Sequence, residues 1–468
     1  MISVVQRQSR KLVLKSCNSV QATTRREPHQ RTFASMASFV TDSIKDAVKS
    51  SVLDEAARPD SKLWSADSNH LHASSRVSKH AGPISPNENV HQGDRNVDSP
   101  ISQARLLMLH DPLDEWFLDR KPNGLTAPIL TPENDPFILS KADMKTLSQS
   151  IRTDLIGSDH PVLSKAASYF FEDGQDGGKK VRPMMVLLLS RAMQIHSEET
   201  ARARPDLFRA QRRLAEISEM IHTASLFHDD VIDGADTRRG APAVHKAFGN
   251  KMAILAGDYL LARASIFLAR LRDVEVVETM STIIEHLVRG EVMQMKGSDA
   301  SDSDNERMVQ YLRKNFYKTA SLMANSCKSA AILGGYNDDI VAAAYTYGKH
   351  LGIAFQLVDD VLDYDGSASA MGKPALSDLN AGLATAPVLF AAQTHPDQLS
   401  PMIDRKFEIE GDVELAVEYV RKSDGIERTK DLAQVHVEIA IGAISQLDPS
   451  EYRDSLIHLA HKVVDRTR

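Results

Sequence analysis

A chain of 468 residues with 63 acidic and 56 basic side chains, 42% hydrophobic and 25% charged, has the composition of a soluble globular protein, which excludes wholesale disorder. Its two cysteines, one of them within the first twenty residues, exclude a disulfide framework and a cysteine-ligated zinc centre. No uninterrupted apolar run reaches the ~18 residues of a membrane span, and a net charge of −7 argues against a general nucleic-acid binder.

The charge is unevenly spread. Residues 1–40 hold seven basic residues (Arg7, Arg10, Lys11, Lys15, Arg25, Arg26, Arg31) against one acid, Glu27, which is +6 and leaves −13 for the remainder. An Arg-, Ser- and Thr-rich leader nearly free of acids has the composition of a mitochondrial transit peptide, and Arg31-Thr32-Phe33-Ala34-Ser35 resembles a matrix-protease cleavage site. A matrix location, at most peripheral to the inner membrane, is therefore expected. Residues 41–100 read as a disordered linker: Ser, Asp, Asn, His and Pro dominate, and the sparse apolar residues do not offset ~1–2 kcal/mol per residue of backbone ordering. Phe39 to Leu53 has the spacing of a short amphipathic helix. Residues 101–136, with Leu106, Leu107, Leu109, Trp116 and Phe117 among prolines, read as an N-terminal arm packed on the domain behind them.

From residue 137 to 468 apolar residues recur at spacings of three and four, which predicts buried helix faces. Val274, Val277, Ile284, Leu287 and Val288 form one such set; Leu312, Phe316, Leu322, Met323 and Ala330 form another. No period-two alternation is sustained, so strands are not expected. Gly157, Gly174, Gly240, Gly297, Gly334-Gly335, Gly411 and Asp448-Pro449 fall where helices should stop. The expectation is one all-α domain of about a dozen helices, an antiparallel bundle. Arg202 to Arg213 reads as a basic surface insertion, and the acidic stretch Ser298 to Glu306 as a mobile loop between helices.

Two pentads carry the chemistry. Asp229-Asp230-Val231-Ile232-Asp233 and Asp359-Asp360-Val361-Leu362-Asp363 each end a long apolar helix. Residues i and i+4 share a helix face, so Asp229 points with Asp233 and Asp359 with Asp363. Like charges at that spacing repel and call for a counter-charge. Hard divalent cations supply it, and Mg²⁺ is held by one or two carboxylates together with waters and substrate phosphates. A solvated acidic face explains one such pentad as well as a metal does, but not two in near-identical apolar frames. Calcium would call for the alternating ligands and central glycine of an EF-hand loop, which neither has. Basic clusters that suit phosphate accompany them: Gly177-Gly178-Lys179-Lys180-Val181-Arg182-Pro183, Arg238-Arg239-Gly240, Lys318-Thr319 and Gly372-Lys373-Pro374.

From about Asp135 to the C-terminus, these motifs in this order resemble the long-chain trans-polyprenyl diphosphate synthases that make mitochondrial quinone side chains. The resemblance implies an isoprenoid synthase fold around a deep central cavity, a homodimer or higher oligomer, and two or three Mg²⁺ ions per site. It implies that Asp229, Asp230 and Asp233, facing Asp359, Asp360 and Asp363, hold those ions on the diphosphate of an allylic substrate. Arg238, Lys318 and Lys373 would contact the same diphosphate, with Thr319 and Gln356 beside the reacting carbons. Lys179, Arg182, His222 and Arg239 would bind isopentenyl diphosphate. Ala224 and Ser225, five and four residues before Asp229, stand where short-chain relatives carry aromatics, so a long product is expected. Deeper stops to growth are sought on the helix that contains Ala256 to Arg263. Leu383 stands where some relatives have a lysine. A class I terpene synthase usually mixes Asn, Ser and Glu in its second motif. A phosphohydrolase using His228-Asp229 as metal ligands leaves the second pentad unexplained. A regulatory subunit of a heteromeric synthase typically loses the aspartates.

Overall fold

A computed structural model describes residues 128–129, 131–157, 160–171, 179–197, 206–238, 240–297, 303–364 and 376–466. The leader, the linker, most of the arm, Gly174, Arg239 and Lys373 lie outside them. The described residues fold almost entirely as helices, as expected. Those of eight residues or more are α1 (Lys141–Ser150), α2 (Pro161–Ser168), α3 (Val181–His196), α4 (Leu207–Ile232), α5 (Asn250–Arg270), α6 (Val274–Lys296), α7 (Asp304–Asn315), α8 (Ser321–Gly334), α9 (Asp338–Tyr364), α10 (Ala386–Thr394), α11 (Pro396–Asp404), α12 (Asp412–Lys422), α13 (Gly425–Ile444) and α14 (Glu451–Val464). A π-helical turn, Phe316–Ala320, joins α7 to α8.

Local signals explain several of these boundaries. Asp273 caps α6 by accepting from the Val276 amide, and Gly297 ends that helix with φ +73°. Ser303 and Glu306 form a reciprocal capping box that starts α7, so the last residues of the expected acidic loop are a helix start. Residues 207–213, expected as part of an insertion, are the first two turns of α4, because Leu207, Gln211 and Leu214 are buried at helical spacing. Gly240 does not end a helix. It sits at φ +80° in the turn of a two-residue antiparallel ribbon, Thr237–Arg238 with Ala241–Pro242, the one pair of strands among the described residues. A pairing this short leaves no alternation to read. Gly411, at φ +92°, precedes α12 instead of ending a helix.

The helices run antiparallel to their neighbours, which places the described motif residues at one end. Against α4, α5 meets His228 at the Ile254 carbonyl (3.3 Å) and Arg213 at the Phe267 ring (5.2 Å). Down α8, Ser326 meets Ser218 (3.0 Å) and the Ala330 carbonyl meets Gln211 (3.0 Å). α3 meets α4 through Arg182–His222 (3.1 Å) and Gln194–Gln211 (2.9 Å). The C-terminal ends of α4, α6 and α9, the start of α3 and the π turn before α8 therefore gather at the same end. The end of the arm docks beside α14, where Asp135 pairs with Lys462 at 3.2 Å.

Close approach of α8 and α9 needs two glycines. A Cβ on Gly348 would lie 2.6 Å from the Met323 carbonyl oxygen, and one on Gly352 would lie 2.6 Å from the Ala320 Cα. Gly352→Ala is expected to cost about 1–3 kcal/mol, as overpacking does, and to part Thr319 from Gln356. Urea unfolding checks this; a loss below ~0.5 kcal/mol would mean that the helices have room.

One predicted face is corrected in part. On α6, Val277 and Leu287 pack against the core as expected, but Val274 is 83% and Val288 60% exposed, and the fully buried positions are Val276, Met280, Ile283 and Gly290. α5 is long and apolar enough to cross a membrane by length and composition alone. It packs along α4, and Asp258 and Arg263 interrupt it.

Candidate active site

The first pentad is the last turn of α4, with Asp233 as its C-cap. Its three carboxylates separate by role. Asp230 is fully buried, and Arg238 from the ribbon donates Nε to its Oδ1 at 2.9 Å, while its Oδ2 is buried with no protein partner. Asp229 and Asp233 lie toward the open end. Burial first, then the neighbouring carboxylates of Glu291 and Asp233, push the Asp229 pKa up to about 6 against the pull of Lys318 and Arg238. Asp233 is raised for the same reasons. His228, one residue earlier, points to the other side of the helix. Its ring packs on Gly257 of α5, where a Cβ would lie 2.3 Å from Nε2, and it does not join the aspartates.

The second pentad ends α9. Asp360 is 1% exposed; Gln356 donates to its Oδ1 (2.9 Å) and Tyr311 of α7 donates its hydroxyl to Oδ2. Burial and the Asp378 carboxylate push its pKa up to about 7. Gln356 also accepts from Thr319 at 3.2 Å, so the Lys318-Thr319 pair and the second pentad form one network. Asp363 turns away from the opening: its carboxylate accepts from the Ser377 amide and hydroxyl (3.0 and 3.1 Å) and from the Asp378 amide (3.2 Å), and so caps the short helix Ser377–Asn380. Asp359 meets Arg466 at 2.8 Å, and that guanidinium lies 4.4 Å from the Phe355 ring centre.

Between the pentads lies a cavity of about 780 Å³. Asp233 and Arg238 line one side; Tyr311, Ser377 and Asp378, which hold Asp360 and Asp363, line another. Lys318 connects the two sides, donating to Glu291 (2.6 Å) and Gln294 (3.1 Å) of α6 while its charge reaches Asp229 and Asp233. Gly290 lets Lys318 lie against α6, since a Cβ there would sit 2.6 Å from its Cγ. A second group of expected residues stands at the start of α3: Arg182 Nη1 lies 3.1 Å from His222 Nε2, beside an exposed Lys179. Lys180 adopts φ +45° and reaches the Ser148 hydroxyl. Ala224 is fully buried, and Ser225 donates back to the His222 carbonyl (2.9 Å).

Sequence reading missed Tyr311, Lys314, Glu291, Gln294, Asp378 and Arg466. Tyr311, Lys314 and Lys318 recur at spacings of three and four on one helical path, a pattern that was there to be seen. Asp378 and Arg466 reach the site only through the tertiary fold.

Among the described residues no three acidic, histidine or cysteine side chains converge tightly enough to hold an ion by themselves. The donors nevertheless suit a hard cation that keeps water and phosphate ligands: the half-buried Asp229, the exposed Asp233 one turn on, and the buried Oδ2 of Asp230 without a partner.

A family model described as polyprenyl synthetase matches residues 160–420. The chain is 48% identical over 377 residues to a probable mitochondrial hexaprenyl pyrophosphate synthase of Neurospora crassa, covering 72% of this chain and 83% of that one. It is 47% identical over 334 residues to the all-trans-polyprenyl-diphosphate synthase of Homo sapiens, covering 71% and 78%. Among solved structures it resembles a Caulobacter crescentus polyprenyl synthase complexed with calcium and isoprenyl diphosphate, with a TM-score of 0.62 and 32% identity over 71% of this chain and 97% of that one. With the expected fold present and both aspartate pentads at one end of it, the chain belongs to the polyprenyl synthetase family.

Proposed function

We propose that this protein is a mitochondrial prenyltransferase that adds isopentenyl diphosphate repeatedly to an allylic diphosphate, such as farnesyl or geranylgeranyl diphosphate, to make a long all-trans polyprenyl diphosphate for a ubiquinone side chain. The observation that carries this reading is the shared cavity: both aspartate pentads border it directly or through their partners, with Arg238 and Lys318 beside it.

The chemistry follows from charge. Polyprenyl synthases are in general Mg²⁺-dependent, and two or three ions per site are part of this proposal. Asp229, Asp233 and the unpartnered Oδ2 of Asp230 would hold them on one side and Asp359 on the other, with Asp360 and Asp363 completing the set once their present partners give way. When bound, Mg²⁺ neutralises the diphosphate and assists its departure. Lys318 and Arg238 place positive charge where negative charge develops as the allylic C–O bond breaks. Arg182 and His222, with Lys179 and Arg239, hold isopentenyl diphosphate on the other side, its double bond facing the cation. A new carbon–carbon bond forms, and the adjacent proton leaves with the released diphosphate, which makes the product an allylic diphosphate again. Thr319 and Gln356, tied to each other, keep the region beside the reacting carbons ordered; water there would quench the cation. Lys373 would supply a further phosphate contact.

The decisive experiment is incubation of the purified protein with farnesyl diphosphate, labelled isopentenyl diphosphate and Mg²⁺, followed by chromatography of the dephosphorylated products. A ladder of longer prenols supports the synthase. Cyclic hydrocarbons would indicate a terpene synthase, and no conversion would indicate a regulatory subunit.

The protein is also proposed to act as a homodimer. On α6, Val288, Val292 and Met295 are 54–67% exposed at spacings of four and three, and Ile254, Leu255 and Ile266 of α5 are exposed too. Such a stripe suits a self-complementary interface. Val292→Glu is expected to shift the protein from dimer to monomer in sedimentation velocity; a wild type that already sediments as a monomer would dismiss the interface.

A further inference from the structure

Four cations line the cavity between the pentads, and protein oxygens engage three of them. Arg238 is held by Asp230 (2.9 Å), Arg307 by Asp404 (2.7 Å), and Lys406 by the Met295 carbonyl (3.4 Å). The fourth, Lys314, makes no hydrogen bond and no ion pair among the described residues; its nearest recorded neighbour is the Tyr311 ring, 5.5 Å from Nζ. Lys314 is half-buried, and its ammonium opens on the cavity with no protein oxygen among the described residues to hold it. Leu383, which also lines the cavity, contributes no charge.

The charges that face Lys314 are the carboxylates of Asp360, Asp378 and Glu291 and the ammonium of Lys318. Burial, as the first cause, lowers its pKa below that of an ordinary lysine. Glu291 is committed to Lys318 (2.6 Å), and Asp360 is committed to Tyr311 and Gln356. Lys314 therefore stands one helical turn before Lys318, in a cavity shared with Arg238, with its hydrogen-bonding capacity unspent.

We propose that Lys314 is a phosphate-binding residue, whose ammonium closes on the diphosphate held between the two pentads and joins Arg238 and Lys318 around it. This rests on the synthase reading for the identity of the substrate, but not for the binding of diphosphate itself. The ligand class is a magnesium-complexed diphosphate, whether the allylic substrate or the inorganic diphosphate released in each cycle.

The test compares the wild-type full chain with Lys314→Met and Lys314→Arg. Isothermal calorimetry with inorganic diphosphate and Mg²⁺ reads binding without turnover. Lys314→Met is expected to weaken it about ten- to hundredfold, the range for a lost hydrogen bond to a charged group, and Lys314→Arg to restore most of it. In steady state, Lys314→Met should raise the KM for farnesyl diphosphate and leave that for isopentenyl diphosphate within twofold. Its ligand-free melting temperature should match the wild type's, since no hydrogen bond or ion pair of the protein is removed. Wild-type-like diphosphate affinity in Lys314→Met would overturn the proposal, as would equal losses for both substrates. If Lys314→Met does not fold, Lys314→Gln takes its place under the same criteria. A wild type that binds diphosphate without elongating a prenyl chain would defeat the synthase reading, and the calorimetric comparison would still decide the role of Lys314.

Discussion

Asp229→Ala is expected to lower the rate of prenyl chain elongation at least a thousandfold while the protein keeps its fold. Electrostatic groups aimed at developing charge are commonly worth ~10²–10³ each, and Asp229 acts together with Asp233 one turn away, so its loss removes more than one contact. Stability should not suffer. Asp229 makes no hydrogen bond within the protein that its removal would break, and burial already pushes its pKa up to about 6, so the ionised side chain is a cost to the metal-free fold. Circular dichroism and melting should match or exceed the wild type, while labelled isopentenyl diphosphate is no longer incorporated. Elongation within tenfold of normal would reject Asp229 as a ligand. Asp363→Ala makes the contrast: it would unfasten Ser377 and Asp378, so its cost falls on the local fold first.

That contrast marks how far the sequence could be read. Both pentads were legible because acids one turn apart at the end of an apolar helix are uncomfortable without a cation, whatever the fold. That His222 shares the face of Asp229 could be read from its position two turns earlier on the same helix, but its contact with Arg182 could not. The different surroundings of the six aspartates could not be read. Asp230 and Asp360 differ from Asp229 and Asp359 only in which neighbours turn toward them: Arg238 from a two-residue ribbon in one case, Tyr311 from α7 in the other. On α6 the periodicity was right and the stripe only partly so: Val277 and Leu287 pack against the core while Val274 and Val288 face outward, because packing partners decide which edge of an apolar stripe is covered. Arg466, more than a hundred residues beyond Asp359, carries no local signal at all.

Ala224→Phe is expected to shorten the product. Ala224 lies five residues before Asp229, about 7.5 Å along the helix axis at 1.5 Å per residue, a depth that the first units of a growing tail must pass. It is fully buried, so an added ring has to occupy space inside the bundle. If the tail grows down the side of α4 on which Ala224 sits, the ring closes that path soon after the first condensations. Because the diphosphate machinery above is untouched, the first condensation should proceed at near-normal rate while the longest prenols disappear from the chromatogram. Overpacking is expected to cost about 1–3 kcal/mol, which a melting curve will register and which does not by itself shorten a chain. Ser225→Phe provides the independent check. Ser225 is half-buried, and its hydroxyl is turned back to the His222 carbonyl, so a ring there meets less resistance from the core. If both variants are folded and active and still release full-length product, the path of the tail does not pass α4 at this level, and the determinant of length lies on α5 or α6 instead. If both shorten it, with Ser225→Phe leaving the longer product of the two because it displaces less of the interior, this face of α4 is the wall along which the chain extends.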